Sequence, residues 1–222
     1  MNYELRKKRL VRFCSEKAGA VVLKNPIGDE FIMSFFTELI QRVRRNHGLE
    51  HATIHVLSEK FRNFGAQGNA ANGGFYLNLF GNIEPEAVEA AAYEALERMK
   101  KGEERLALHP NCGTVLLTTA TMVTLAGQAV FTVEEKRSGR KMDAFGFMNA
   151  LPGAILAVVL TIVASRPVGM YFQSFTTTGK MGEMRIKEVR KLNTSPIAHF
   201  FRVLLGRNKK VKTTSYFIAT EG

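Results

Sequence analysis

Cysteine is scarce in this 222-residue chain: Cys14 and Cys112 stand alone, 98 positions apart. That excludes a disulfide framework and a cysteine-rich zinc module, and makes reduced thiols the default. Proline is sparse at 6 residues, and the 19 glycines follow no period, so collagen-like and low-complexity chains are excluded. No internal repeat is found. No Gly-Lys-Ser/Thr follows the glycine-rich stretch NFGAQGNAANGG, which excludes a P-loop. The basic start MNYELRKKRLVRF is followed by only a six-residue apolar run, Ala18 to Leu23. A secretory signal needs roughly 7–15 apolar residues and a cleavage site. The N-terminus is therefore expected to stay cytosolic. At 24.7 kDa and 45% apolar residues, the chain has room for one domain or two small ones with a buried core.

Acidic residues are outnumbered, 20 against 31 Lys and Arg, for a net charge of +11. A mean hydropathy of −0.07 resembles that of an ordinary soluble protein, but the average hides two long runs without charge. Residues 113–133 carry none over 21 positions, and residues 144–165 none over 22. As helices they reach roughly 31 and 33 Å, against about 30 Å for a bilayer core. Between them EEKRSGRKMD reads as a solvated turn, so the pair is expected to form a transmembrane helical hairpin. Seven Lys/Arg flank the spans on the terminal side and four lie in the loop. The positive-inside rule then puts both termini in the cytoplasm and the protein in the inner (cytoplasmic) membrane. The basic C-terminal region is expected to lie against anionic headgroups of the lipid bilayer. No nucleic-acid module accompanies the positive charge, so nucleic acid is not an expected partner.

Before the spans, a helical pattern opens at Asp29–Glu30, with Phe31, Phe35, Leu39 and Val43 on one stripe and Phe36 and Ile40 beside it. It runs to about Asn46 and resumes after Gly48 through about Lys60. Residues 63–74 read as a loop, 74–83 as a short strand, and Pro85 opens a helix that Gly102 ends. After the second span MYFQSFTTT, EMRIKEV, FFRVLL and SYFIAT alternate like short strands. The expected organisation is a basic N-terminal segment (1–28), a helical head (29–112), the hairpin (113–165) and a basic C-terminal β region (166–222).

Three of the five histidines fall at His47, His51 and His55 in NHGLEHATIH. At about 100° per residue they share one helix face with Glu50. A pair of histidines four apart can hold one zinc from a single helix. His47 and His55, about 12 Å apart along the axis, cannot easily share an ion. His47-Gly-Leu-Glu50-His51 resembles the inverted His-x-x-Glu-His motif of pitrilysin-type metallopeptidases. That resemblance implies His47 and His51 as zinc ligands and Glu50 as the general base. It covers five residues only: the family's third ligand, a downstream glutamate, would fall inside the first apolar run. A third ligand must come from elsewhere. His109 is the first choice, and Cys112, Glu103 and His55 are the lesser ones. Imidazole and carboxylate also suit iron or manganese.

A broader resemblance joins Arg45-Asn46-His47-Gly48-Leu49-Glu50-His51-Ala52-Thr53-Ile54-His55, the glycine-rich loop with Gly74-Phe75, and His109-Pro110-Asn111-Cys112-Gly113-Thr114 directly before a span. In combination these resemble an uncharacterised family of bacterial membrane proteins, a domain of unknown function. The likeness covers about residues 40–165 and implies an integral membrane protein with a cytosolic or interfacial head, but no activity.

The expected fold is thus an α+β membrane protein: a helical head with a short β element, a two-span hairpin and a small basic β region. The expected function is a zinc-dependent, metallopeptidase-like hydrolase. The alternative is a non-catalytic assembly or regulatory protein with structural histidines. An open coordination place beside Glu50 favours the first; a Cys112 ligand or a buried site favours the second.

Overall fold

A computed structural model describes residues 26–193 and 212–222, with side-chain surroundings from residue 33. The chain divides into two compact units, Met1–Glu38 and Leu39–Gly222. Of the first, the described part is the opening of helix α1 (Pro26–Lys60), where Met33, Phe35 and Phe36 are exposed. Proline suits this first turn because its missing N–H has no helical acceptor there anyway.

The second unit pairs helices with one antiparallel sheet. Its elements are the rest of α1, β1 (Gly65–Ala71), β2 (Gly74–Phe80), α2 (Pro85–Lys100), a 3-10 turn (Glu104–Ala107), α3 (Gly113–Ser138), α4 (Ala144–Thr176), β3 (Arg185–Leu192) and β4 (Thr213–Glu221). Strand order is β1-β2-β4-β3. The C-terminal strands therefore complete the head's own sheet: β4 pairs with β2 along its whole length, Phe75 opposite Ile218 and Leu77 opposite Tyr216. One sheet face carries Phe75, Leu77, Leu79, Tyr216 and Ile218. They form the core with Leu49, Ala52, Val56 and Leu57 of α1 and Val88, Ala92, Ala95 and Leu96 of α2. This is the sheet-on-helix layering of an α+β domain.

Two expectations from the sequence are corrected. Residues 63–74 are not a loop, since β1 occupies most of them and pairs with β2 from Gly65–Phe80 to Ala71–Gly74. It lacks large apolar residues because α1 crosses close to it, and small side chains make that approach possible. MYFQSFTTT is not a strand, because α4 runs on through Thr176 with Pro167 inside it. Gly169 and Gln173, four residues apart, are its buried side, while Tyr171, Phe172 and Phe175 are exposed. That is helical spacing. EMRIKEV and SYFIAT do hold β3 and β4; FFRVLL and His199 lie outside the described residues.

Helices α3 and α4 form an antiparallel hairpin. Gly139 ends α3 in the left-handed conformation (φ 67°), and Asp143 caps α4 by accepting from the Gly146 N–H at 2.7 Å. Both are long and apolar enough to cross a membrane, and only 6% and 11% of their most apolar windows are buried. A core helix of a soluble protein would hide most of that surface. Inside the pair, Gly169 lets α4 approach Val115, where a Cβ would stand 2.9 Å from the Val115 Cα. The Thr119 and Ser165 hydroxyls meet at 2.8 Å. Small residues and hydroxyl pairs are how apolar helices associate without a hydrophobic driving force.

Gly48 marks where α1 meets the chain leaving α4. A Cβ there would stand 2.2 Å from the Thr178 carbonyl oxygen and 3.3 Å from the Ala107 Cβ. Gly48→Ala gains helix propensity of about 0.5–1 kcal/mol. It also forces apart backbone that has nowhere to go, at about 1–3 kcal/mol. The expected net result is a lower melting temperature, read by thermal unfolding in detergent.

Candidate metal centre

The centre is built where three pieces of chain meet: the middle of α1, the segment between the 3-10 turn and α3, and the end of α4. Asn46, buried on α1, fixes the helix against the sheet. Its amide donates to Ala71 and Asn72 carbonyls at 2.8 and 3.1 Å, and its oxygen accepts from the Thr220 hydroxyl at 2.6 Å. Arg44 fixes the helix against α4, donating to the Ser174 and Thr177 carbonyls, each at 3.1 Å. A guanidinium on the last carbonyls of a helix suits the negative end of its dipole.

These anchors aim a row of imidazoles. His47 Nδ1 lies 3.1 Å from the Thr176 carbonyl oxygen and His51 Nδ1 2.7 Å from that of Ala107. A carbonyl only accepts, so both Nδ1 atoms carry a proton and both Nε2 atoms are left for the thiol or a metal. Such an outer hydrogen bond is what orients a metal-binding histidine. The Cys112 Sγ lies 3.5 Å from His47 Nε2. One ligand atom from each of His47, His51 and Cys112 falls within 4.8 Å of the others. Around a tetrahedral zinc, N and S ligands stand roughly 3.5 Å apart, so a modest closure of this group meets the requirement.

The electrostatics favour a cation. Burial alone would raise the Cys112 thiol, but hydrogen bonds with His47 and His51, the charge of His51 and the Thr114 backbone bring it down to about 4. Cys112 is also the residue from which α3 starts, at the positive end of that helix. Burial lowers His47, yet the Cys112 hydrogen bond and the charge of Glu50 outweigh it, and the net shift is upward. Glu50 is 4% exposed. Burial pushes its carboxyl up to about 7 against the pull of His51 and His47. Its Oε2 is buried without a hydrogen-bond partner among the described residues. Gly68 of β1 makes room for this carboxyl, since a Cβ there would stand 2.0 Å from Oε1.

Of the candidate ligands, the structure gathers His47, His51 and Cys112; the Glu50 carboxyl lies outside that group, against Gly68, near enough for its charge to act on His47 and His51. His109, the first choice from sequence, is not in that group. Its ring lies 5.8 Å from that of His51 and 5.0 Å from that of His55, and its Nδ1 accepts from the Asn111 N–H at 3.3 Å. The turn from His109 to Cys112, closed by a 3.2 Å backbone hydrogen bond, carries the thiol to the imidazoles instead. Burial, with His55 and His51 nearby, holds His109 down at about 4. His55 donates through Nε2 to the Leu108 carbonyl at 2.8 Å. Glu103 pairs with Arg98 at 2.8 Å on the surface.

Gln173 escaped the sequence reading. Fully buried on α4, it holds the His109 backbone at two points: Oε1 accepts from its N–H at 3.1 Å, and Nε2 donates to its carbonyl at 3.2 Å. Its only signal was a lone amide in an apolar, aromatic stretch. Gln173→Ala frees the segment that carries Cys112. The expected loss of metal affinity is about 10–100-fold, as for other outer partners. Titration against a competing chelator measures it.

The arrangement defines a class: an α+β head with a His2Cys group at the ends of two helices long and apolar enough to cross a membrane. The chain belongs to the domain family of unknown function DUF6391, whose model matches residues 42–189, a span that contains the whole His47–His51–Cys112 group. An uncharacterised protein of Picosynechococcus sp. (strain PCC 7002) is 28% identical over 174 residues, 72% of this chain and 78% of its own. No solved structure matches the chain.

Proposed function

We propose that this is an integral membrane metalloprotein whose His47–His51–Cys112 centre hydrolyses an amide or ester, as a metallopeptidase-like enzyme. The two apolar helices form its membrane hairpin in the inner membrane, with both termini cytoplasmic and the basic residues toward anionic headgroups. Glu50 is the observation that carries the hydrolytic reading. Its carboxyl is buried on the same helix face as His47 and His51, with Oε2 free of any hydrogen-bond partner among the described residues, which leaves an oxygen available to accept a proton. A zinc ion held by the three ligands would acidify a water molecule and polarise the substrate carbonyl. Glu50 would accept one proton from the attacking water as its oxygen adds to the carbonyl carbon, and would return it to the leaving nitrogen or oxygen as the old bond breaks. Three protein ligands would leave a fourth place for water, as in catalytic zinc sites.

Cys112 as third ligand and the burial of His51 favour a second reading, a structural metal that staples α1 to the ends of α3 and α4. Elemental analysis tests what both share. About one metal ion per chain is expected in the detergent-purified protein, and far less in the His47→Ala/His51→Ala double variant. Equal metal in a folded double variant, or none in either, overturns the centre.

A further inference from the structure

We infer that the substrate is presented by the bilayer: a long-chain acyl group whose ester or amide carbonyl lies at headgroup depth. This rests on the hydrolytic reading above and concerns which side of the centre is open. Toward the head the centre is closed. Glu50 is 4% exposed and His51 2%, and the β1 backbone at Gly68 lies against the Glu50 carboxyl. Toward the span ends the cover is thinner, although Cys112 itself is 7% exposed. His47 is half-buried, and Asn111, Gly113 and Thr176 beside it are exposed. Cys112 immediately precedes α3, and the carbonyl that holds His47 belongs to Thr176, the last residue of α4. The Thr114 and Thr176 hydroxyls, 3.5 Å apart, put the two span ends at one level.

Just inside that level the surface is apolar and exposed. Leu116 and Leu117 on α3 are 60% and 70% exposed, and Phe172 and Phe175 on α4 49% and 58%. Aromatic residues at span ends mark the interfacial layer. An acyl chain lying along these residues brings its carbonyl to the level of Cys112 and His47, because that carbonyl joins the apolar tail to the polar head. Hydrolysis there adds water across the acyl C–O or C–N bond and yields a fatty acid with an alcohol or an amine. No electrons change hands. A soluble peptide would have to reach the same opening from inside the headgroup layer.

The test has two parts, both on the full chain in phosphatidylcholine vesicles with Cys14→Ser. The first is labelling of Cys112 in the metal-free protein by an N-alkyl maleimide and by a sulfonated, membrane-excluded one. Tyr93→Cys on the exposed face of α2 serves as the water-facing control. The alkyl reagent is expected to favour Cys112 over the control position by at least tenfold relative to the sulfonated reagent. Equal preference at the two positions overturns the proposal. Zinc is expected to protect Cys112; if it does not while the preference holds, the metal reading fails and the open side stands. The second part is fatty-acid release by the zinc-loaded protein from vesicles with and without an N-acylated peptide. Release from plain vesicles identifies a lipid ester, and release only with the acyl peptide identifies an amide; both support the proposal and both are expected to vanish in Glu50→Gln. Cleavage of a soluble peptide with no fatty acid from either vesicle overturns the proposal and leaves the hydrolase intact. No hydrolysis of any probe by zinc-loaded protein overturns both.

Discussion

Cys112→Ser is expected to retain little of the metal that the parent chain carries, while Cys14→Ser retains all of it. Metal binding depends on which form of each group is ready to bind. A metal takes the thiolate, and the two imidazoles with the Thr114 backbone already hold Cys112 down at about 4, so no proton has to be displaced from it near neutrality. A serine hydroxyl keeps its proton under the same conditions and is a poor ligand for zinc. Two imidazoles are then left. The expected loss of affinity exceeds the roughly 10–100-fold that follows from removing an outer partner. The fold should survive, since oxygen for sulfur changes little volume and the anchors of the two histidines, the Thr176 and Ala107 carbonyls, are backbone atoms. Substituted cobalt reports the difference directly: the parent should show thiolate-to-metal charge-transfer absorption and the variant should not. Full metal content in Cys112→Ser would remove the thiol from the ligand set and reopen the place for His109, whose ring is 5.8 Å from that of His51.

How much of this was legible in the sequence depends on how local each signal was. The helical hairpin was legible because absence of charge over a long run is a property of the run itself. His47, Glu50 and His51 were legible as a group because helical spacing alone puts them on one face, and the structure keeps α1 unbroken across Gly48. The choice between His109 and Cys112 was not legible. It depends on a turn of three residues whose backbone is held by Gln173, 64 positions away in sequence. Nor was β1, whose residues GAQGNAA have neither alternation nor bulk. They pair because β2 offers a ladder, and they are small because Glu50 lies against one of them. The same fact hid the exposure of the first α1 stripe. Phe35, Phe36 and Ile40 repeat with helical spacing, yet the buried stretch of the helix begins only near Asn46, where sheet and α2 cover it. Periodicity specifies the helix; what covers it is settled by partners distant in the chain.

Glu50→Gln is expected to separate stability from chemistry. In the metal-free protein the Glu50 carboxyl holds its proton up to about pH 7, against an ordinary value of 4.5. The unfolded chain loses that proton first as pH rises. The folded state is therefore penalised progressively between about pH 4.5 and 7, and the full penalty, about 3 kcal/mol, persists above that. Below pH 4.5 both states are protonated and the penalty is absent. Glutamine is neutral throughout. Relative to the parent, the metal-free variant should gain about 3 kcal/mol between pH 4 and pH 8, and any cost of an amide nitrogen without a ready acceptor applies equally at both. Chemical unfolding at the two pH values measures this, and a parent and variant with the same pH dependence would contradict the buried, near-neutral carboxyl. Zinc should bind the variant as it binds the parent, because none of the three converging ligands is touched. Hydrolysis should fall by about 10²–10⁴-fold, the usual contribution of a positioned proton acceptor. A variant that gains stability and keeps its zinc but also keeps its activity would leave the centre standing and take the proton transfer away from Glu50.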